Sequence, residues 1–203
     1  MDITGFALVT GAASGIGRAC AKTFAADGAA GVALLDLNEE ALQAVKNEIE
    51  DDHAKRGDRS CIVEIYPVDV TDDAAVENAV KKAAASFGRL DYAVNAAGIA
   101  FKHEGGAAFA QTKDWQRVLD VNLNGTFYVL RSVAQIMLKQ DPILSSIDGR
   151  PLQRGSIVNI ASILGQVGIT MSTAYTASKH AVIGLTRTAS EDYAEQGLRI
   201  NAI

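Results

Sequence analysis

The chain has 203 residues, of which 48% are hydrophobic and 21% are charged, and its formal net charge is -5 at pH 7. This length and apolar content suit one domain with a sizeable core. An acidic chain without a basic stripe argues against nucleic acid and anionic membranes as partners, and no apolar run approaches the ~18 residues of a membrane span.

The cysteines and histidines do not have the spacing of a metal site. Cys20 and Cys61 fall within a predicted helix and a predicted strand, so we expect two buried thiols in a reducing compartment. The histidines lie far apart in the chain, at His53, His103 and His180. No basic segment precedes the first apolar run, so we expect no signal peptide and a cytoplasmic location.

Short apolar runs alternate with stretches of helical period along the chain. The predicted strands are 6–10, 31–36, 61–68, 90–95, 156–161 and 198–203. The main predicted helices are one that ends at Ala26, then 38–53, 72–87, 112–139 and 174–196. This alternation predicts an α/β fold, a doubly wound parallel sheet of six strands with helices on both faces. We expect a single domain over residues 1–203.

Two local features carry further expectations. Thr71 is the predicted N-cap of the helix over 72–87, and Gly88 lies just past its end. The connection 140–155 contains two prolines and is longer than a usual helix-to-strand loop. We expect a surface excursion there, and a tolerated insertion is favoured over a functional loop.

The first strand runs directly into a glycine-rich turn. Glycines allow a tight turn, a close approach of phosphate to the backbone and close packing of the next helix against the strand. The N-terminus of that helix adds partial positive charge. We therefore predict a pyrophosphate site at this turn, with ordinary turn chemistry as the alternative. Its predicted members are Gly11, Ser14, Gly15, Ile16 and Gly17.

An acidic residue ends the second predicted strand. Asp36 follows Gly17 by 19 residues, close to the ~20 expected for a ribose-binding acid. A carboxylate there accepts hydrogen bonds from ribose hydroxyls and repels a 2'-phosphate. Neither Leu37 nor Ser14 offers a cation for such a phosphate, and Arg18 lies beyond the last glycine. The sequence thus predicts NAD rather than NADP, with Asp36 and Leu37 beside the adenosine.

The third and fourth strands end in equivalent positions. In open α/β sheets, ligands bind at the carboxyl ends of the strands. We therefore expect nucleotide contacts from Asp69, Val70, Asn95, Ala96 and Gly98. A helix-capping role for Asp69 stays open as the alternative.

Tyr175 and Lys179 lie four residues apart on a predicted helix and so share one face. A tyrosine usually titrates near pKa ~10, and a nearby ammonium lowers that pKa toward the working range. A solvated pair on a helix surface is the alternative. Of the five tyrosines, only Tyr175 has a lysine at this spacing, which favours an acid/base role.

Together these motifs resemble the short-chain dehydrogenase/reductase family. The match includes the spacing of the glycines, Asp69-Val70, the run from Asn95 to Gly98, Asn122 within Val-Asn-Leu-Asn-Gly-Thr-Phe, and Ser162 thirteen residues before Tyr175. The motifs follow one another in the family's order along the whole chain. The resemblance implies a Rossmann fold and an NAD-dependent oxidoreductase that acts on a small-molecule secondary alcohol or ketone.

The resemblance also implies the catalytic residues Asn122, Ser162, Tyr175 and Lys179. Tyr175 would exchange a proton with the reacting oxygen, and Ser162 would hold that oxygen and stabilise its charge. Lys179 would also bind the nicotinamide ribose, which Tyr175 adjoins. Asn122 would bind a water that passes protons to Lys179, and a hydrogen bond that distorts its helix is the alternative.

The family's strand at 198–203 continues into a nicotinamide-contacting segment, a substrate-covering helix and a last strand. We expect these to be missing here and the edge at 198–203 to be unprotected. A protein that binds NAD(H) without efficient turnover is therefore the alternative function. The resemblance further implies a homodimer formed through helices 112–139 and 174–196.

Overall fold

The computed structural model describes residues 3–57, 61–144, 147, 149 and 151–203. Its strands are β1 (Phe6–Thr10), β2 (Gly31–Asp36), β3 (Ile62–Pro67), β4 (Tyr92–Asn95), β5 (Ile143–Leu144), β6 (Pro151–Gln153), β7 (Gly155–Asn159) and β8 (Leu198–Ala202). Its α-helices are α1 (Gly15–Ala26), α2 (Glu39–Arg56), α3 (Asp73–Phe87), α4 (Thr112–Leu119), α5 (Thr126–Met137) and α6 (Thr173–Tyr193).

Six strands form one parallel sheet in the order β3-β2-β1-β4-β7-β8. The predicted α/β fold and its six core strands are confirmed, with bounds that differ by at most two residues. The strand order reverses between β1 and β4, and such a reversal opens a crevice at the carboxyl edge of the sheet. The predicted ligand residues that follow β1, β2, β3 and β4 all lie at this edge.

Helices cover both faces of the sheet. Successive residues of β1 point to opposite sides, so Leu8 packs into the core beneath α3 and α5, whereas Val9 packs into the core beneath α1 and α2. The continuously apolar strands are buried on both faces because of this arrangement.

The predicted helix over 112–139 is not a single α-helix. A π-helical turn at Asp120–Gly125 separates α4 from α5. The Thr126 hydroxyl, at the start of α5, donates to the Asn122 carbonyl of this turn at 2.8 Å, and the Asn122 side chain bonds to the backbone of Ile99. The apolar periodicity of the sequence continues across this turn, so periodicity alone does not reveal the interruption. The predicted helix distortion at Asn122 is present.

Two local predictions need correction. Asp72, not Thr71, is the N-cap of α3, because its carboxylate accepts the Ala75 N–H at 3.0 Å. Cys61 is buried just before β3, and burial raises the pKa of its thiol to about 11, but Cys20 is only half-buried. The connection 140–155 contains the antiparallel pair β5–β6 and the start of β7. Residues 145, 146, 148 and 150 of that connection lie outside the described residues.

Within the described ranges, none of the helices has the length and apolar character that crossing a membrane requires.

Candidate active site

The glycine turn after β1 is closely packed. Gly11 has φ +64°, in the left-handed region that favours glycine. A Cβ at Gly17 would lie 2.2 Å from the Gly11 carbonyl oxygen, so no side chain fits at the start of α1. The sequence forms this turn because two positions accept only glycine, and α1 consequently begins directly against β1.

The N-terminus of α1 is left open to an anion. Its N-cap residue, Ser14, makes no side-chain capping bond, and its first turn contains no acidic residue. In contrast, Asn38 and Asp72 cap α2 and α3, and both of those helices have acids in the first turn. Uncapped N–H groups and the positive end of the helix dipole together favour a phosphate at the glycine turn.

Asp36 joins the end of β2 to the glycine turn. One carboxylate oxygen accepts the Ala13 N–H at 3.2 Å and the other accepts the Asn38 N–H at 3.1 Å. The neighbouring Leu37 is 71% exposed. Arg18 is bonded to Glu48 of α2 at 2.5 Å and is therefore occupied by a carboxylate.

These residues line a cleft of about 720 Å³ at the carboxyl edge of the sheet, within the usual size of small-molecule sites. The predicted nucleotide residues in its wall are Gly11, Ser14, Gly15, Ile16, Gly17, Asp36, Leu37, Asp69, Val70, Ala96 and Gly98. Another part of the wall comes from α4 and includes Lys113, Gln116 and Arg117. Sequence reasoning missed this wall, although the spacing of Lys113 and Arg117 places both on one helix face.

Asp69 and Asn95 each have protein partners near the cleft. The Asp69 carboxylate accepts the Thr71 N–H at 2.9 Å and the Thr71 hydroxyl at 2.8 Å. The Asn95 amide is buried and donates to Asn159 of β7 at 2.7 Å. Asp69 therefore shapes the turn before α3, and the Asn95 side chain points into the sheet rather than into the cleft.

Lys179 is held at the end of β7. Its side chain is buried, with 5% of the residue exposed, and its amine donates to the Ile160 carbonyl at 2.6 Å. Burial lowers the pKa of this amine from its ordinary value of 10.5 to about 8. The same nitrogen lies 5.5 Å from the centre of the Tyr175 ring, so the two side chains share one face of α6.

Asn122 ties three segments together beside Lys179. Its oxygen accepts the Ile99 N–H at 2.8 Å, and its amide donates to the Ile99 carbonyl at 2.9 Å and to the Ser178 hydroxyl at 3.0 Å. A Cβ at Gly98 would lie 3.3 Å from Asn122 Oδ1 and 3.7 Å from Lys179 Nζ. Asn122 and Lys179 therefore lie beside Gly98, which is part of the cleft wall.

Ser162 begins a short 3₁₀ turn at Ile163–Gly165, and its hydroxyl accepts the Leu164 N–H at 3.2 Å. Gly165 lies against α6, where a Cβ would be 2.9 Å from the Lys179 carbonyl oxygen and 2.5 Å from Ile183 Cδ1. The turn packs directly on the helix of Tyr175 and Lys179 because Gly165 has no side chain. Ser162 follows Ile160, the carbonyl partner of Lys179, by two residues.

The segment between Ser162 and Tyr175 carries four exposed apolar side chains. They are Ile163, Val167, Ile169 and Met171. Within the part of the chain that the structure describes, Met171 is the one non-glycine residue with a positive φ, at +62°, and its carbonyl accepts the His103 N–H at 2.8 Å. Exposed apolar side chains such as these can pack against a ligand or another protein surface, and no sequence motif pointed to this segment.

The sequence matches the short chain dehydrogenase family over residues 5–203. Short-chain dehydrogenase srdC of Neurospora crassa is 39% identical over 205 residues, which span 100% of this chain and 74% of that protein. The 2-dehydro-3-deoxy-L-rhamnonate dehydrogenase (NAD(+)) of a Sphingomonas species is 38% identical, with 97% and 69% covered. The crystal structure of NAD+-bound xylitol dehydrogenase is 34% identical and has a TM-score of 0.82, with 98% and 68% covered.

The buried amine of Lys179 predicts a pH-dependent stability. Because its pKa falls from 10.5 to about 8 on folding, the unfolded chain binds more protons between these pH values, and stability rises with pH there. Between pH 8 and pH 10, the free energy of unfolding of the wild type should gain about 2 kcal/mol relative to Lys179→Met. Urea unfolding at the two pH values measures the difference.

The exposed Lys82 provides the control. Lys82→Met should keep the full gain with pH. An equal gain in the wild type and in Lys179→Met would contradict the low pKa of Lys179.

Proposed function

Because the chain belongs to the short-chain dehydrogenase family of oxidoreductases, we propose that it transfers a hydride between NAD(H) and a secondary alcohol or ketone. The observation that carries this proposal is the buried amine of Lys179, which lies 5.5 Å from the centre of the Tyr175 ring and beside Gly98 of the cleft wall. A buried cation beside a phenol is the arrangement that an acid/base tyrosine needs.

Tyr175 acts as the general acid and base. In the reductive direction its hydroxyl gives a proton to the carbonyl oxygen of the substrate, and in the oxidative direction it takes a proton from the alcohol. The ammonium of Lys179 stabilises the phenolate that this transfer leaves. The Ser162 hydroxyl donates to the reacting oxygen and stabilises its developing charge.

Asn122 bonds to two of the segments that form this site. By bonding to both backbone groups of Ile99 and to Ser178, the residue before Lys179, it fixes the strand-end segment against α6. We assign it the additional role of binding a water that passes protons to Lys179.

The cleft residues fit a dinucleotide. The uncapped N-terminus of α1 suits its pyrophosphate. Each oxygen of the Asp36 carboxylate accepts one backbone N–H, from Ala13 or from Asn38. Both oxygens can still accept hydrogen bonds from ribose hydroxyls. Gly98, beside Lys179, leaves room for the nicotinamide end. When bound, NAD(H) accepts or supplies the hydride.

Asp36 also favours NAD over NADP in this proposal. Its negative charge opposes a 2'-phosphate, Leu37 offers no cation, and Arg18 is bonded to Glu48. The two relatives named for NAD+ support the same choice.

The substrate that we propose is a small organic alcohol or ketone. Relatives named for xylitol and for 2-dehydro-3-deoxy-L-rhamnonate support this class. The exposed apolar side chains between Ser162 and Tyr175 provide a surface against which the carbon skeleton can pack.

We also propose a homodimer through α4, α5 and α6. Phe127 on α5 is 39% exposed, and Arg131 lies 5.4 Å from its ring centre, as in many interface patches. Sedimentation velocity at micromolar concentration should show twice the mass of the chain, and Phe127→Lys should shift the protein toward monomer. A wild-type monomer would contradict this assembly.

The acid/base role of Tyr175 is tested by Tyr175→Phe. Loss of the hydroxyl removes the proton donor, so kcat should fall by at least about 100-fold, whereas the dissociation constant of NADH should stay near the wild-type value. Turnover of NAD+ with a panel of secondary alcohols that includes xylitol, together with NADH fluorescence titration, measures both effects.

Tyr193→Phe is the matched control, because Tyr193 lies on the same helix without a lysine four residues later. Its kcat should be near the wild type. Substantial turnover by Tyr175→Phe would refute the mechanism, and NADH binding by a wild type without turnover on any alcohol would favour a binding protein.

The cofactor preference is tested by Asp36→Ala. Removing the carboxylate removes its repulsion of the 2'-phosphate, so the ratio of kcat/KM for NADP+ to that for NAD+ should rise by about tenfold or more. Asp69→Ala, which removes a carboxylate bonded to Thr71 in the same cleft, should leave the ratio near wild type. An unchanged ratio in Asp36→Ala would overturn the assignment.

A further inference from the structure

Two hydrogen bonds attach α6 to the end of β7. The Lys179 amine donates to the Ile160 carbonyl at 2.6 Å, and the Asn159 amide donates to the Thr186 hydroxyl at 2.8 Å. Lys179 and Thr186 are seven residues apart, about two helical turns, and so lie on one face of α6. The helix is therefore held to the strand at two points along its axis.

The second attachment is part of a buried chain of hydrogen bonds. The Asn95 amide donates to the Asn159 oxygen at 2.7 Å, the Asn159 amide donates to the Thr186 hydroxyl, and that hydroxyl donates to the Val182 carbonyl at 2.7 Å. The exposed fractions of Asn95, Asn159 and Thr186 are 3%, 0% and 4%. Each donor is satisfied by the next group, and breaking one link leaves a buried polar group without its partner.

The same chain connects the nucleotide side of the sheet with the helix of Tyr175. Asn95 ends β4, and its carbonyl accepts the Ile160 N–H at 2.9 Å. The Ile160 carbonyl thus accepts a hydrogen bond from Lys179, while the Ile160 N–H donates to the end of β4. The N-terminal half of α6 is also held by the Asn122–Ser178 bond and by the packing of the Gly165 turn. The Thr186 bond adds an attachment two turns beyond Lys179, which opposes rotation and sliding of the helix on β7.

We propose that Asn159 and Thr186 are positioning residues, which hold α6 on β7 so that Lys179 stays on the Ile160 carbonyl and beside Tyr175. This inference rests on the proposed function, because it assigns the two residues to the placement of the proposed acid/base pair. Neither residue touches the reacting atoms, and neither belongs to the motifs that the sequence analysis identified.

Kinetics provide the first test. Thr186→Val keeps the shape of the side chain and removes its hydroxyl, so α6 loses the attachment and kcat should fall by about tenfold. The KM for NAD+ should change less than kcat, because the glycine turn and Asp36 at the other end of the nucleotide site are unchanged. Thr186→Ser restores the hydroxyl and should recover most of kcat. The assay uses NAD+ with the best alcohol from the panel.

Asn159→Ala breaks the same link from the strand side and must produce a similar loss. If the two residues act as one unit, the double variant Asn159→Ala/Thr186→Val loses little more than either single variant. Ser132→Ala, which removes a buried hydroxyl from α5, is the control and should leave kcat unchanged.

A second readout needs neither cofactor nor substrate. Acetic anhydride labels exposed amines, so the buried Lys179 should react slowly in the wild-type protein. Peptide mass spectrometry should show severalfold faster labelling of Lys179 in Thr186→Val and in Asn159→Ala. The exposed Lys81 and Lys82 serve as internal references, and thermal melting confirms that each variant is folded.

The outcomes separate this inference from the proposed function. Faster labelling of Lys179 together with a kcat loss that Thr186→Ser repairs supports the positioning role. Folded variants with wild-type labelling and wild-type kcat overturn it. A lower melting temperature without a change in labelling or kcat also overturns it, because the network would then serve stability alone. A wild type that neither binds NADH nor turns over an alcohol contradicts the proposed function instead.

Discussion

The hydrogen bond from the Lys179 amine to the Ile160 carbonyl is the contact on which the candidate site depends. It places a cation inside a helix–strand junction, at 2.6 Å from a carbonyl oxygen and with 5% of the residue exposed. Burial lowers the pKa of that amine to about 8, which is an energetic cost that packing alone would not require. This cost is explained if the ammonium stabilises the phenolate of the neighbouring Tyr175.

The rest of the fold places the other residues of the candidate site around this contact. The reversal of strand order between β1 and β4 opens the cleft, and the glycine turn and Asp36 occupy one end of it. The π-helical turn lets Asn122 reach Ile99 and Ser178, so the wall of the cleft and α6 are bonded to each other. Proposed cofactor binding and proposed proton transfer therefore depend on the same strand ends, which explains why such chemistry is built at the carboxyl edge of a parallel sheet.

Much of this arrangement was predictable from local sequence. Continuous apolar runs predicted the six core strands, and the glycine turn and the spacing of Tyr175 and Lys179 predicted where ligands and chemistry belong. Periodicity did not predict the interruption at Asp120–Gly125, because its cause is a bond from Asn122 to a segment 23 residues away. The α4 wall and the Asn95–Asn159–Thr186 chain were missed for the same reason: they exist only through contacts between residues distant in sequence.

A crystal structure of the chain saturated with NAD+ would show whether the dinucleotide occupies the cleft beside Tyr175 and Lys179. We expect density for the pyrophosphate at the N-terminus of α1, for the adenosine ribose at Asp36 and for the nicotinamide ribose within hydrogen-bonding distance of Tyr175 and Lys179. Absence of the dinucleotide from the cleft, or a nicotinamide that points away from Tyr175, would contradict the proposed function.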